Sequence, residues 1–297
     1  RLRSRGLGDV YKRQDQDRIS EAVITAENSD VVILCVGLDE TLEGEEGDTG
    51  NSDASGDKVD LHLPKVQEEL IEKVTAVGKP TIVVLMAGSA IDLNYAQDNC
   101  NGILLAWYPG ARGGRAIADL LFGKESPSGK LPVTFYKDLE GMPEFTDYSM
   151  KNRTYRYMEK EALYPFGYGL TYSDTCVTEA EVVGEVSAES DIMLKATVKN
   201  NGTVDTDEVV QVYIKDLDSP LAVRNYSLCG FKRVSLKAGE EKSVEFTISN
   251  KAMNIVDEDG NRYIAGKHFR LFAGVSQPDT RSAELTGHKP AEVEIAL

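Results

Sequence analysis

The sequence is poor in basic residues and has no long apolar run. Its 33 Lys and Arg are outnumbered by 49 Asp and Glu, which gives a formal net charge of −16. Nucleic acids and anionic lipids are bound by basic surfaces, so neither partner is expected. The longest apolar run, residues 81–87, is far shorter than the about 20 residues that span a bilayer. The sequence therefore predicts no nucleic-acid partner and no membrane helix.

Cysteine and histidine are scarce and carry no metal-site spacing. The four cysteines are scattered without a C-x-x-C pair, and the three histidines form no cluster with the spacing of metal ligands. Cys35 lies in an apolar run, where a thiol is expected to be a small buried hydrophobe. We expect no metal and no cofactor, and unpaired cysteines favour a reducing compartment such as the cytoplasm.

The first half of the chain has the pattern of an α/β domain. Apolar, β-branched runs of strand length alternate with amphipathic stretches from about residue 15 to 136. The predicted strands are 31–36, 81–87, 102–107 and 131–135, and the predicted helices are 65–77 and 115–122. Strands that alternate with helices in this order predict a mostly parallel sheet with flanking helices.

Beyond about residue 174 the hydrophobic period changes to two. Apolar side chains alternate with polar ones around 192–198, 210–214, 244–248 and 269–273, and turn-forming clusters separate these stretches. This is the pattern of an all-β, antiparallel sandwich. The domain prediction is therefore an α/β domain over 15–173 followed by a β-sandwich over 174–297.

Residues 1–14 differ in charge from the rest of the chain. They contain five basic residues and one acidic residue, and they have neither an initiator Met nor the apolar region of a secretory signal. We interpret them as a non-native tail, and we expect that the parent protein has further sequence before residue 15.

A long acidic segment, residues 37–57, follows the first predicted strand. Ligands of parallel α/β sheets bind beyond the carboxyl ends of strands, so its location favours function. The alternatives are a solvated acidic loop, a calcium site and a carboxylic acid that transfers a proton. No register gives the calcium-loop spacing. A Glu crowded by like charges is favoured in its protonated form, as a general acid requires.

Other motifs are poorer candidates. Residues 109–114 could hold an anion at a helix N-terminus, but they lack a phosphate-loop or dinucleotide pattern, so a tight turn is the better interpretation. Residues 87–90 do not fit the nucleophile elbow of a serine hydrolase. Tyr148, Tyr155 and Tyr157 could stack on sugar rings or pack between domains.

Several strings, taken in order, resemble the C-terminal part of glycoside hydrolase family 3. They include Leu42-Glu-Gly-Glu-Glu-Gly-Asp48, Asp60-Leu-His-Leu-Pro-Lys-Val-Gln67, Trp107-Tyr-Pro-Gly-Ala-Arg-Gly-Gly114 and Tyr164-Pro-Phe-Gly-Tyr-Gly-Leu-Thr-Tyr172. Glu208-Val-Val-Gln-Val-Tyr-Ile214 is similar to the fibronectin type III-like domain that follows in that family. The resemblance covers about residues 15–277.

The resemblance implies a retaining β-glycosidase that acts on a β-linked oligosaccharide or an aryl or alkyl glycoside. In that family a nucleophilic Asp lies on an N-terminal (β/α)8 barrel, and the general acid/base Glu lies in the loop after an early strand of the α/β domain. The implied proton donor is Glu45, with Glu43 and Glu46 as alternatives. The implied substrate contacts are Asp48, Asp57 and Lys58, and Lys58 stands where Arg is frequent in the family.

The resulting hypothesis is a C-terminal fragment of a β-glucosidase or β-xylosidase that carries the acid/base but not the nucleophile. Such a fragment is expected to be inactive without a barrel. The alternative is a non-catalytic module that binds carbohydrate or only braces a neighbouring domain.

Overall fold

The computed structural model describes residues 18–39, 42–43, 58, 60–144 and 146–297. Within them the chain divides into two compact units. The first holds the residues up to Asp119 together with Tyr136–Leu139, and the second holds Leu120–Phe135 together with Glu140–Leu297. The predicted tail, 1–14, lies outside the described residues.

The first unit is built on a parallel β-sheet. Strands β1 (Val32–Gly37), β2 (Thr81–Met86) and β3 (Gly102–Leu105) lie side by side in chain order. The helices in this part of the chain are α1 (Ile19–Glu27), α2 (Lys65–Thr75), α3 (Asn94–Asn99) and α4 (Gly113–Leu121). The first three predicted strands and both predicted helices are confirmed, each to within two residues at either end.

Burial in this sheet is greatest in its central strand. Val83, Val84 and Leu85 of β2 are completely buried, because β2 has a strand on each side. Cys35 of β1 was expected to be buried, and that expectation is wrong: its side chain is exposed. Successive side chains of a strand point to opposite faces, and Cys35 shares with the exposed Ile33 a face that no described element covers.

The predicted strand at 131–135 does not form. In the second unit this segment meets the chain around Tyr164 through separate backbone hydrogen bonds, and Phe135 and Tyr164 form an isolated bridge. Pro132 has no N–H to donate to a strand pairing, and Pro165 interrupts the opposite segment. Phe135 is nevertheless buried, as its apolar run suggested.

The second unit contains an antiparallel β-sandwich. Its strands are β4 (Thr175–Val183), β5 (Ile192–Asn200), β6 (Thr206–Asp216), β7 (Ser227–Leu236), β8 (Glu241–Ile248), β9 (Asn254–Val256), β10 (Arg262–Ile264), β11 (His268–Gly274) and β12 (Ala291–Ala296). One sheet has the order β12-β11-β6-β7, the other has β4-β5-β8, and β9 and β10 form a short hairpin. Helices α5 (Thr154–Tyr157) and α6 (Thr280–Thr286) complete the unit. No helix among the described residues has both the length and the apolarity to cross a membrane.

The core of the sandwich follows the predicted alternation. Leu194, Val212, Phe246 and Leu271 belong to one cluster of buried side chains drawn from both sheets. Strand β6 departs from simple alternation, because its intervening residue Tyr213 is buried as well. The fold class predicted from the sequence, an α/β domain with a mostly parallel sheet followed by an antiparallel β-sandwich, is confirmed.

Residues 154–168 cover the outer face of β6. The ring of Tyr155 stacks on Phe166 with centroids 4.3 Å apart, and it makes a T-shaped contact with Tyr213. Gln211 of β6 donates a hydrogen bond from Nε2 to the carbonyl of Gly167 at 2.9 Å. The structure therefore favours packing over sugar stacking for Tyr155.

A buried ion pair also joins the chain before β4 to the sandwich. Lys130 Nζ lies 2.7 Å from Glu208 Oε1, with the two side chains 9% and 2% exposed. The Glu208 carboxylate also accepts hydrogen bonds from the hydroxyl of Thr175 and the N–H of Val209. A buried charge needs such partners, because an unpaired one is costly.

Candidate active site

The end of β1 is fixed by a side chain of helix α2. The buried amide of Gln67 accepts from the N–H of Gly37 and donates to the Gly37 carbonyl, both at 2.8 Å. A Cβ at Gly37 would lie 1.8 Å from the carbonyl oxygen of Met86, and the φ of Gly37 is +153°. Only glycine fits this close approach of β1 to β2. The acidic segment therefore leaves the sheet at a defined point.

Glu43, in that segment, lies at the carboxyl end of the sheet. Its Oε2 accepts a hydrogen bond from the N–H of Gly88 at 2.8 Å and another from the hydroxyl of Tyr108, and its Oε1 accepts from the hydroxyl of Ser89. Gly88 and Ser89 follow β2, and Tyr108 follows β3. Residues that follow β2 and β3 therefore surround a carboxylate that follows β1.

Lys58 lies at the same sheet edge. Its Nζ donates to the hydroxyl of Ser89 at 3.2 Å and to the carbonyl of Ala90 at 3.4 Å. The side chain is half-buried, and its positive charge favours the ionised form of Glu43. We call this group of residues the sheet-edge cluster; it consists of Glu43, Lys58, Gly88, Ser89 and Tyr108.

The cluster holds its members in defined protonation states. Partial burial alone would raise the pKa of Glu43, but the three hydrogen bonds and the charge of Lys58 outweigh it, so that pKa lies below its ordinary value. Burial, with the hydrogen bond to Glu43, raises the pKa of Tyr108 to about 12. Burial also lowers the pKa of Lys58, against the opposing charges of Glu43 and Asp60. At neutral pH Glu43 is an acceptor and Tyr108 is a donor.

The structure brings together two of the residues singled out in the sequence, Glu43 and Lys58. The other four, Glu45, Glu46, Asp48 and Asp57, lie outside the described residues, so their roles stay predictions.

Sequence reasoning missed the partners that hold these residues. Ser89 lies in the segment that was rejected as a hydrolase elbow, and Tyr108 precedes the segment interpreted as a turn. Gln67 looked like one polar residue of an amphipathic helix. The available signal was position, since Ser89 and Tyr108 both follow the carboxyl ends of buried strands, where α/β sheets bind ligands.

The other residues considered in the sequence analysis have contacts that give them structural roles. Residues 109–114 form a tight turn, in which Gly113 N–H donates to the Gly110 carbonyl at 3.1 Å. Each histidine pairs with a carboxylate: His62 with Glu68, His268 with Asp218 and His288 with Asp174. In the described part of the chain, no group of three or more potential ligands could hold a metal ion.

Chemically, the sheet-edge cluster is a polar, partly exposed group at the place where a parallel sheet offers its ligand site. It contains hydroxyl donors, a cation and an ionised carboxylate, which are suited to hydrogen-bonding a polar, uncharged ligand or a neighbouring loop.

Comparison with known proteins gives the family. Residues 4–172 match the model of the glycosyl hydrolase family 3 C-terminal domain, and residues 208–277 match that of the fibronectin type III-like domain. A xylan 1,4-β-xylosidase of Xylanibacter ruminicola is 39% identical over 282 residues, which are 94% of this chain and 32% of that protein. A β-xylosidase of Formosa agariphila is 35% identical over 274 residues, 90% of this chain and 37% of that protein.

A solved structure of a β-glucosidase is similar to this chain as well. A β-glucosidase of Erythrobacter marinus superposes with a TM-score of 0.79 at 32% identity, over 94% of this chain and 36% of that one. The chain thus spans about a third of the length of these relatives. Since the first family model covers more than half of its residues, the chain belongs to glycoside hydrolase family 3, with the family's C-terminal α/β domain followed by a fibronectin type III-like domain.

Proposed function

We propose that this chain supplies the general acid/base of a retaining β-glycosidase that hydrolyses β-xylosides or β-glucosides. The nucleophilic carboxylate would come from a (β/α)8 barrel domain, as the family resemblance implies. Membership of the family supports this proposal, and so do the names of the relatives, which are β-xylosidases and a β-glucosidase.

The chemistry is a double displacement. The barrel carboxylate attacks the anomeric carbon while an acid of this chain protonates the departing glycosidic oxygen. The same group, now a carboxylate, then removes a proton from the water that hydrolyses the glycosyl-enzyme, so that the acid is regenerated with a proton from that water. No cofactor takes part in either step.

The surroundings of Glu43 support the choice of Glu45 as proton donor. Glu43 accepts hydrogen bonds from three donors, and its pKa is lowered, so it is ionised at neutral pH and has no proton to give. Glu45 is two residues further along the chain, so its Cα is at most about 7 Å from that of Glu43. A fixed, negatively charged neighbour raises the pKa of a nearby carboxyl, as a general acid requires. Glu46 is the alternative donor.

The substrate contacts are proposed for Asp48, Asp57 and Lys58. Of these, Lys58 carries the structural argument, because its ammonium group is half-buried at the sheet edge and already bonded to Ser89. An ammonium group is a compact donor that bonds one hydroxyl rather than gripping two oxygens as Arg does. It is therefore suited to a single sugar hydroxyl.

The test uses a chimera in which this chain replaces the matching stretch of the Xylanibacter ruminicola β-xylosidase. The unsubstituted chimera is expected to hydrolyse xylobiose and nitrophenyl xyloside. Glu45→Gln is expected to lower kcat on xylobiose by about a thousandfold, which is within the usual range for loss of a general acid. Hydrolysis of dinitrophenyl xyloside should lose far less in its first step, because that leaving group departs without a proton.

The matched control is Glu69→Gln, which neutralises an exposed carboxylate on α2 and is expected to leave both activities unchanged. Equal loss of the first step on both substrates, or full activity of the Glu45→Gln chimera on xylobiose, would contradict the proposal. A folded chimera that hydrolyses neither substrate would contradict it too.

A further inference from the structure

The three hydrogen bonds to Glu43 come from residues that have no part in the proposed chemistry. Ser89 follows β2 and Tyr108 follows β3, so two neighbouring strands direct hydroxyl groups toward one carboxylate. Hydrogen bonds to an ionised acceptor are about twice as strong as neutral ones. The arrangement therefore fixes one point of the acidic segment relative to the sheet, two residues before Glu45.

The backbone at the end of β3 is strained where Tyr108 is presented. Trp107 has a φ of +51°, in the left-handed region that large side chains rarely adopt. Such a conformation persists only where the surrounding structure holds it, and it is often found at functional sites. Tyr108, the next residue, is 54% exposed and donates its hydroxyl hydrogen to Glu43.

The space around Gly88 shows how closely Tyr108 and Glu43 approach the chain after β2. A Cβ at Gly88 would lie 2.7 Å from Cε2 of Tyr108 and 3.1 Å from Oε2 of Glu43. Any larger residue would have to displace the tyrosine ring. Position 88 is therefore occupied by glycine because Tyr108 and Glu43 approach closely there.

We propose that Tyr108 and Ser89 are positioning residues for the acid/base of this site, acting through Glu43. They hold the Glu43 carboxylate at the carboxyl ends of β2 and β3 and so fix the chain two residues before Glu45, the proposed proton donor. This inference rests on the proposed function of Glu45. Tyr108 stays protonated at any working pH, since its pKa is about 12, and so it remains a donor throughout the reaction.

The kinetic test compares Tyr108→Phe and Ser89→Ala in the chimera defined above. Each is expected to lower kcat on xylobiose about tenfold, because a misplaced acid slows protonation. KM should stay nearly unchanged in Tyr108→Phe, whereas Ser89→Ala also removes the hydroxyl that Lys58 bonds and is judged on kcat alone. The first step with dinitrophenyl xyloside, which needs no acid, should change less than about twofold. The matched control is Tyr95→Phe, which removes a hydroxyl bonded to Thr75 at 3.1 Å in the same unit and should change neither rate.

A second variant reaches the same contact by adding volume. Gly88→Ala is expected to reproduce the tenfold loss on xylobiose, whereas Gly114→Ala, where a Cβ would meet nothing within 4 Å, should not. If Glu45→Gln abolishes xylobiose hydrolysis but the Tyr108, Ser89 and Gly88 variants leave it intact, the positioning role is wrong while the proposed function stands. If Glu45→Gln has no effect, the proposed function itself fails.

The contact can also be tested in this chain without a barrel. NMR of the chain with ¹³C-labelled tyrosine gives the pKa of Tyr108, whose resonance is identified by its loss in Tyr108→Phe. Glu43→Gln is expected to lower that pKa, because the ionised acceptor that raises it is gone. An unchanged Tyr108 pKa in Glu43→Gln would overturn the inference whatever the kinetics show.

Discussion

Glu43 in the first unit and Glu208 in the second unit are both held by three donors, yet their surroundings differ. Glu208 is 2% exposed and bonded to Lys130, so its charge is neutralised inside a closed core. Glu43 is only partly buried, and its neighbour Tyr108 is half-exposed. A carboxylate sealed in a core can only stabilise the fold, whereas one at an open sheet edge can also affect a neighbouring reaction.

The largest effect is expected from breaking the sealed pair. Lys130→Met leaves the Glu208 carboxylate buried without its cation, which should lower the free energy of unfolding of the second unit by about 3–5 kcal/mol. Urea unfolding followed by far-ultraviolet circular dichroism measures this loss. The control is Lys195→Met, whose partner Glu181 lies 3.2 Å away on the surface and should cost less than about 1 kcal/mol. Equal losses would show that burial does not distinguish the two pairs.

The next effect concerns the fixed end of β1. Gln67→Leu removes both partners of the Gly37 backbone, and we expect the first unit to lose about 2 kcal/mol, since unsatisfied buried polar groups are costly. The chain's one tryptophan, Trp107, lies in this unit, so its fluorescence during urea unfolding reports the change. Glu69→Leu, at an exposed position of the same helix, is the control. A loss no larger than in that control would refute the role given to Gln67.

A smaller effect tests whether the negative charge of Glu43 raises the pKa of the general acid. In the chimera, the basic limb of the kcat/KM profile reports the pKa of the general acid. Removing a neighbouring negative charge lowers that pKa, so Glu43→Gln should move the basic limb to lower pH by roughly half a unit. Glu69→Gln should leave it in place. A shift to higher pH would contradict the account.

The smallest effect is expected at the surface. The hydrogen bond that His62 Nδ1 donates to the Glu68 carboxylate, at 2.9 Å, raises the pKa of His62. A raised pKa means that protonated His62 stabilises the fold; this contribution is complete below the ordinary pKa of about 6.5 and is lost as the pH rises through the folded value. Because His62 is exposed, the contribution should be below about 1 kcal/mol. Comparing the unfolding of His62→Gln with the parent chain at about pH 5 and about pH 9 checks the sign, and a larger difference at the higher pH would reverse it.

Hydrophobic period predicted most of the fold. The buried run of β2 and the alternation at Leu194 and Phe246 are consequences of burial, which composition and spacing encode directly. Two predictions were wrong because hydrophobic period does not show which elements lie next to a segment. The segment 131–135 has the composition of a strand, but its proline prevents regular pairing, and Cys35 is exposed because it shares with Ile33 a face of β1 that no described element covers.

The candidate site was predictable only in part. The acidic segment and its position after a strand pointed to Glu43, but nothing local indicated that Ser89 and Tyr108 would bond it. Those contacts join residues 46 and 65 positions apart, and a sequence pattern of short period carries no information on such pairs. These contacts follow instead from the sheet topology, which places the ends of β2 and β3 beside each other.

The most direct measurement is azide rescue of the Glu45→Gln chimera acting on dinitrophenyl xyloside. Azide attacks the glycosyl-enzyme without needing a base, so the account predicts faster turnover and accumulation of β-xylosyl azide, with net retention. Glu43→Gln should show no such rescue, because it still has its acid/base. Failure of azide to accelerate Glu45→Gln, or rescue of Glu43→Gln instead, would show that the proton donor is not Glu45.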